Sequence, residues 1–247
     1  MSLWDRLGVE APLMVRVFGG LPEWEIDLQK TALVIVDMQH YDALPGKGMW
    51  TLARERGLES ELAYYYERIQ LVTKNLERVL NACRQQGVTV IHLNGDVLTG
   101  RKIGDIKRNR TYGNFESARP FPIKRQQFPD DHEVVAPLRP LPNEIVVRKQ
   151  GAGPFGITNM DHILRQLGIE LLIVGGTVTH QCVEMTVRGA FDFGYRVVLL
   201  EDGTATMSEE LQRSCLIALG DWFCKVRTTD EVVDLVVGKG DRVLVPV

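Results

Sequence analysis

The stretch LLIVGGTVTHQCVEMTVRGAFDFGYRVVLLED, residues 171–202, decides the fold. LLIVGG (171–176) and YRVVLLED (195–202) are short apolar runs without polar alternation, and between them residues 182–193 carry apolar side chains at helical spacing. A strand that is apolar at successive positions is covered on both faces, as in a mainly parallel sheet with helices above and below. The stretch therefore reads as strand, helix, strand.

Three more runs upstream repeat the strand signal: TALVIVDMQ (31–39), VTVIHLN (88–94) and EIVVRK (144–149). Helices fill the intervals. Residues 61–87 place Ile69, Val72, Leu76, Val79 and Leu80 on one face and stop at Gly87. In TNMDHILRQLG (158–168), Thr158 is the expected N-cap, Ile163, Leu164 and Leu167 the inward face, and Gly168 the stop. A further helix is expected over 209–219, and VRTTDEVVDLV (226–236) fits either a strand or a short helix. This alternation predicts a three-layer α/β/α sandwich with a mainly parallel, doubly wound sheet and an active site at the carboxyl ends of the strands. One domain spanning 1–247 is expected, with an N-terminal extension over about 1–29. A loop insertion over about 98–142 reads as a lid or an oligomer arm.

Composition narrows the function classes. The 247 residues are 45% hydrophobic and 25% charged, with net charge −3 and pI near 6.0, which gives no electrostatic footprint for nucleic acid or an anionic membrane. The first twenty residues mix acidic with apolar side chains and do not read as a signal peptide. No apolar run approaches the roughly 18–20 residues that span a bilayer. Cys83, Cys182, Cys215 and Cys224 form neither a CxxC pair nor a disulfide framework, which suits free thiols in a reducing cytosol. A cytoplasmic protein with a small-molecule partner is the expectation.

Three chemically capable residues follow apolar strands: Asp37 after ALVIV, Lys149 after IVVR, and Cys182 beyond LLIVGG. Each has a structural reading, as helix cap, solvated cation and core thiol. Together they make a site. A thiol beside a cation and at a helix N-terminus has its pKa lowered, so Lys149 and the helix opening at Cys182 are expected to favour thiolate. Asp37 is then placed to take the thiol proton and return it to a leaving nitrogen.

The segments VIVDMQ (34–39), RKQGAGPF (148–155) and GGTVTHQCVEMTVRGAFDFGY (175–195) resemble the isochorismatase-like cysteine hydrolase superfamily. Its carbamoyl and ureido branch includes biuret, triuret, ureidoacrylate and carbamoylsarcosine hydrolases. The resemblance implies an Asp37–Lys149–Cys182 triad and a cis peptide at Thr177–Val178. It also implies an oxyanion hole from the backbone N–H groups of Val178 and Cys182, and assembly as a dimer or tetramer. The implied reaction cleaves a small amide, carbamoyl or ureido C–N bond through a thioester, with no cofactor.

The chain departs from the nicotinamidase pattern, because QHYDALPGKG (39–48) has His40 and Asp42 in the wrong order for an Asp-x-His metal element. No catalytic metal is expected. Vinyl ether hydrolysis does not need the retained cysteine, and a noncatalytic binding or assembly module would not need all three residues. Substrate-binding candidates are Gln39, Tyr41, Phe155, Thr177 and His180, although core packing accounts equally well for Phe155 and His180. Arg101, Lys102, Lys107, Arg108 and Arg110 could clamp a substrate oxygen, with solvation or subunit bridging as the plainer reading. The glycines at 151–153 and 175–176 complete no GxGxxG phosphate loop.

Overall fold

The computed structural model describes residues 1–22, 24–95, 132–149, 151–238 and, for the backbone, 243–244. The first part of the chain forms α1 (Leu3–Leu7), α2 (Leu13–Phe18), β1 (Trp24–Glu25), β2 (Thr31–Val36), α3 (His40–Ala43), α4 (Gly48–Glu55), α5 (Ala63–Gln85) and β3 (Thr89–Gly95). It continues through β4 (Ile145–Lys149), α6 (Met160–Gln166), β5 (Leu171–Thr177), α7 (Glu184–Asp192), β6 (Arg196–Ala205), α8 (Glu209–Trp222), β7 (Lys225–Arg227), α9 (Thr229–Val237) and β8 (Val243–Leu244). Six strands form one parallel sheet in the order β4-β3-β2-β5-β6-β7, while β1 and β8 pair antiparallel.

Period-two alternation divides the core. Leu33 and Ile35 of β2 join Ile173 of β5 and Val198 of β6 against Ile69, Val72 and Leu76 of α5 and Val232 and Val236 of α9. Ala32, Val34 and Val36 face the other way, with Leu172 and Val174, onto Met160 and Leu164 of α6, Val187 of α7 and Leu219 of α8. Both faces of each central strand are therefore apolar, which is why those segments lack alternation.

The chain steps outward from β2 to β3 and β4, then re-enters beside β2 as β5 and proceeds to the other edge. Connections leaving β2 and β5 diverge at this switch point and leave a crevice at the carboxyl edge. Two glycines allow the close approach there. A Cβ on Gly176, whose φ is +126°, would lie 2.1 Å from the Val36 carbonyl oxygen, and one on Gly175 would lie 2.6 Å from Leu76 Cδ2. Packing of β5 on β2 and α5 thus accounts for this pair.

Several boundaries differ from the sequence expectation. The helix expected from Cys182 begins at Glu184, because Thr179–Val183 form a turn of π-helix that re-aims the chain leaving β5. Asn159, not Thr158, holds the N-cap position of α6, yet Thr158 Oγ1 still accepts from the Met160 N–H at 3.1 Å. The segment left open at 226–236 contributes to both elements. β7 ends at Arg227, and Thr228 with Glu231 forms a capping box that starts α9.

Part of the N-terminal segment packs into the core. Leu3 is 0% exposed and Trp4 is buried with it against the α8 layer, where a Cβ at Gly220 would lie 2.7 Å from Leu3 Cδ2. The end of the segment read as an insertion also packs into the core: Val134, Val135 and Leu138 are buried, and Val135 N–H donates to the Met38 carbonyl at 3.0 Å. Residues 98–131 of that segment, including Arg101, Lys102, Lys107, Arg108 and Arg110, lie outside the described residues. Among the described residues, no helix is long and apolar enough to cross a membrane.

Candidate active site

Asp37, Lys149 and Cys182 meet at the carboxyl edge of the sheet. Asp37 is the first residue past β2 and sits at φ +48°, a left-handed conformation that aspartate tolerates better than most residues. Its N–H is held by the Leu93 carbonyl at 2.8 Å, and its Oδ1 accepts from the Gly95 N–H at 2.7 Å. Lys149 is the last residue of β4 and pairs in register with Gly95, so β3 forms the bridge between carboxylate and ammonium. Lys149 Nζ lies 2.6 Å from Asp37 Oδ2, 3.2 Å from the Gly151 carbonyl and 3.3 Å from Cys182 Sγ. An ammonium has three donors, and here all three are engaged. Asp37 is 4% exposed and Lys149 3%, so the ion pair is shielded from water.

The thiol electrostatics correct the expectation. Burial first, then the Asp37 carboxylate, push the Cys182 pKa up to about 12, against an opposing pull from Lys149. The sulfur belongs to the π-helical turn rather than the first turn of α7, and the Asp37 anion offsets the cation that was expected to favour thiolate. Burial and the neighbouring carboxylate thus favour the protonated thiol over the thiolate. Burial works against the charged form of Lys149, but Asp37 and the sulfur outweigh it and raise its pKa, so the ammonium persists.

The turn carrying Cys182 is braced by buried hydrogen bonds. Thr177–Val178 is a cis peptide, as the resemblance implied, and the Val178 carbonyl accepts the N–H groups of Gln181 at 3.0 Å and Val183 at 3.3 Å. Thr179 Oγ1 donates to Gln212 Oε1 at 2.8 Å, and Gln212 Nε2 donates to Thr204 Oγ1 at 2.9 Å. Thr186 Oγ1 donates to the Cys182 carbonyl at 2.6 Å. Every member of this buried polar set has a partner, which fixes the turn without leaving an unsatisfied group.

The remaining candidates take varied places. Gln39 is buried, and its Nε2 donates to the carbonyls of His132 at 2.7 Å and Gly95 at 3.3 Å, tying the strand ends around Asp37 together. Tyr41 is half-buried in α3, close to this rim. His180 Nδ1 lies 2.5 Å from Thr206 Oγ1 and its Nε2 3.2 Å from Gln181 Nε2, and burial lowers its pKa. Thr177 Oγ1 turns into the core, 2.6 Å from the Tyr65 hydroxyl. Phe155 stacks with Phe193 and Tyr195 at centroid distances of 5.2 and 5.9 Å and lies against Gly189 of α7, so packing explains it.

Sequence reading missed Tyr65, Thr204, Thr206 and Gln212. Tyr65 falls four residues before Ile69 on the inward face of α5, a spacing that marks core and hides its hydroxyl's role. The others belong to β6, the connection after it, and α8, and no local motif links them to Cys182. Cys83, Cys215 and Cys224 are buried free thiols, with burial pushing Cys83 to about 12 and Cys215 to about 11. Among the described residues, no three His, Cys, Asp or Glu side chains cluster to hold a metal ion.

Comparisons with known proteins bear on the family and the fold. Residues 31–231 match the family model described as the isochorismatase domain. The chain is 30% identical over 211 residues to ureidoacrylate amidohydrolase RutB of Variovorax paradoxus (strain S110), covering 82% of this chain and 80% of that protein. It is 29% identical over 217 residues to RutB of Caulobacter vibrioides (strain ATCC 19089 / CIP 103742 / CB 15), covering 83% and 90%. Among solved structures, a cysteine hydrolase from Pseudomonas syringae pv. phaseolicola 1448A superposes with TM-score 0.66 at 26% identity, covering 87% of this chain and 96% of the other. N-carbamoylsarcosine amidase from Thermoplasma acidophilum shares the fold with TM-score 0.57 at 23% identity, covering 81% and 97%. A switch-point crevice, an Asp, Lys and Cys brought together there, and a family match over 31–231 lead to one conclusion: the chain belongs to the isochorismatase family of hydrolases.

Proposed function

We propose that this chain is a cysteine-dependent amidohydrolase that cleaves a C–N bond of a small amide, carbamoyl or ureido substrate, with Cys182 as nucleophile, Asp37 as acid and base, and Lys149 as the fixed cation. The observation that carries this reading is the buried ammonium of Lys149 within 2.6 Å of Asp37 Oδ2 and 3.3 Å of Cys182 Sγ. Similarity to proteins named ureidoacrylate amidohydrolase supports the ureido substrate class.

The upward shift of the Cys182 pKa favours the following order of events. Sulfur attacks the carbonyl carbon as its proton passes to Asp37, so a free thiolate never has to accumulate. Backbone N–H groups of Val178 and Cys182 face the developing oxyanion, each such donor contributing roughly 3 kcal/mol to the transition state. Asp37 then protonates the nitrogen, the C–N bond breaks, ammonia or an amine departs, and a thioester remains. Water attacks the thioester as Asp37 accepts its proton. The C–S bond breaks, the carboxylic or carbamic acid leaves, and the proton returns to sulfur. Lys149 neutralises Asp37 and orients it toward sulfur throughout.

Ammonia release from ureidoacrylate, N-carbamoylsarcosine, biuret, triuret, maleamate and nicotinamide tests the proposal, with wild type compared to Cys182→Ala. Turnover of a ureido or carbamoyl compound by wild type and its loss in the variant is expected. Retention of most activity by Cys182→Ala on a turned-over substrate would remove the nucleophile assignment.

A further inference from the structure

We infer that Tyr65 is a positioning residue that joins the loop carrying the acid–base group to the turn carrying the nucleophile; this inference rests on the reading of Asp37 and Cys182 above. Tyr65 projects from the first turns of α5 and is 0% exposed. Its hydroxyl donates to the Asp42 carbonyl at 2.9 Å and lies 2.6 Å from Thr177 Oγ1. Asp42 belongs to α3, the short helix just past Asp37. Thr177 ends β5 and precedes Val178 across the cis bond, five residues before Cys182. One phenolic oxygen therefore spans the connections leaving the two strands at the switch point.

A single proton assignment satisfies both contacts. With the phenol donating to the Asp42 carbonyl, Thr177 Oγ1 donates to the phenol oxygen at 2.6 Å in preference to the Ala205 carbonyl at 3.5 Å, and neither buried hydroxyl is left unmatched. The ring itself is fixed. It stacks on Trp50 at 5.7 Å with 27° between planes, and Trp50 meets Tyr66 edge-on at 5.7 Å. Burial and the nearby anionic groups hold the phenol well above its ordinary titration range, so it remains a neutral donor and transfers no proton in the cycle. Its contribution is geometric. Asp37 has separate anchors in Gly95 and Lys149. What Tyr65 adds is the placement of Thr177–Val178, hence of the nucleophile turn, relative to that carboxylate.

The test compares wild type with Tyr65→Phe, which keeps the ring and removes the bridge, and with Thr177→Val and Thr177→Ser. Two readouts are taken: the pH midpoint of Cys182 alkylation by iodoacetamide, followed by peptide mass, and kcat and KM on whichever compound the ammonia assay identifies. Tyr65→Phe should move the alkylation midpoint down toward the ordinary thiol range as the turn loosens and admits water. It should also lower kcat by about ten- to a hundredfold with KM within about twofold, because misplaced reacting groups lose rate rather than binding. Thr177→Val should reproduce both changes, Thr177→Ser should restore wild-type values, and Tyr65→Phe/Thr177→Val should be no worse than the stronger single variant. An unchanged midpoint in folded Tyr65→Phe, or fully additive losses in the double variant, would overturn the inference. If Tyr65→Phe fails to fold, Thr177→Val against Thr177→Ser decides it by the same readouts. Alkylation needs no substrate, so absence of turnover by wild type would defeat the proposed reaction and leave the Tyr65 result legible.

Discussion

The two ends of β4 hold two buried assemblies of similar composition and opposite character. At its entrance, Glu144 receives Arg84 through two hydrogen bonds of 2.7 and 2.9 Å, the Leu141 N–H at 2.9 Å, and His92 Nε2 at 3.1 Å. At its exit, Lys149 joins Asp37 and a thiol. Burial raises the pKa of Glu144, but Arg84, Leu141 and His92 more than offset it and hold the carboxyl at about 2. Burial raises the Cys182 thiol too, and there the adjacent Asp37 anion adds to the effect, so the sulfur reaches about 12. Burial by itself is therefore not what makes a group reactive. Glu144 is surrounded by donors that favour its ionised form, whereas burial and the Asp37 carboxylate favour the protonated form of Cys182.

That contrast can be broken at either end, and the largest effect is expected at the exit. Cys182→Ala should reduce turnover by more than about a thousandfold, because the proposed acyl intermediate forms on its sulfur; steady-state ammonia release measures it. Arg84→Met should destabilise the fold by roughly 3 kcal/mol, since it leaves a buried carboxylate without its main partner. Urea unfolding would show it, and a change under about 0.5 kcal/mol would mean the cluster is not the closed assembly described here.

Removing either charge next to the thiol should shift alkylation in opposite directions. Asp37→Asn takes away an anion that raises the Cys182 pKa, so its alkylation midpoint should fall; Lys149→Met takes away the cation that lowers it, so the midpoint should rise. Equal shifts in one direction would refute the assignment of these charges.

The smallest effect is the acid limb of stability. His92 has a folded pKa below its usual 6.5, chiefly from burial, so the stability tied to its neutral form is present above 6.5 and declines as pH falls through the folded value. Glu144 follows: its folded pKa lies below 4.5, so its contribution is full above 4.5 and disappears as pH drops toward about 2. Melting temperature measured against pH should show less loss between pH 4.5 and 2 in Glu144→Gln than in wild type.

How far the sequence can be read differs between strands and turns. The strand segments over 31–39, 88–94, 171–176 and 195–202 were legible because a strand covered on both faces is continuously apolar, whereas the edge strand at 144–149, whose residues alternate between buried and exposed, was legible from its β-branched run. Placement of Asp37, Lys149 and Cys182 at one rim was legible because parallel strands put all their carboxyl ends on one edge. The π-helical turn was not, since its register comes from Thr179, Gln212 and Thr204 meeting across three elements. The role of Leu3 and Trp4 was hidden for the same reason: an amphipathic segment near a terminus shows an apolar face without naming the surface that covers it.

By itself, then, the sequence determined the layered parallel sheet and the residue types available at its edge, because periodicity and strand polarity are local properties of the chain. Tertiary structure alone decided the upward direction of the Cys182 pKa shift and the bridging place of Tyr65. A pKa depends on how much water is excluded and on which charges lie within a few ångströms, and those neighbours come from strands and helices distant along the chain.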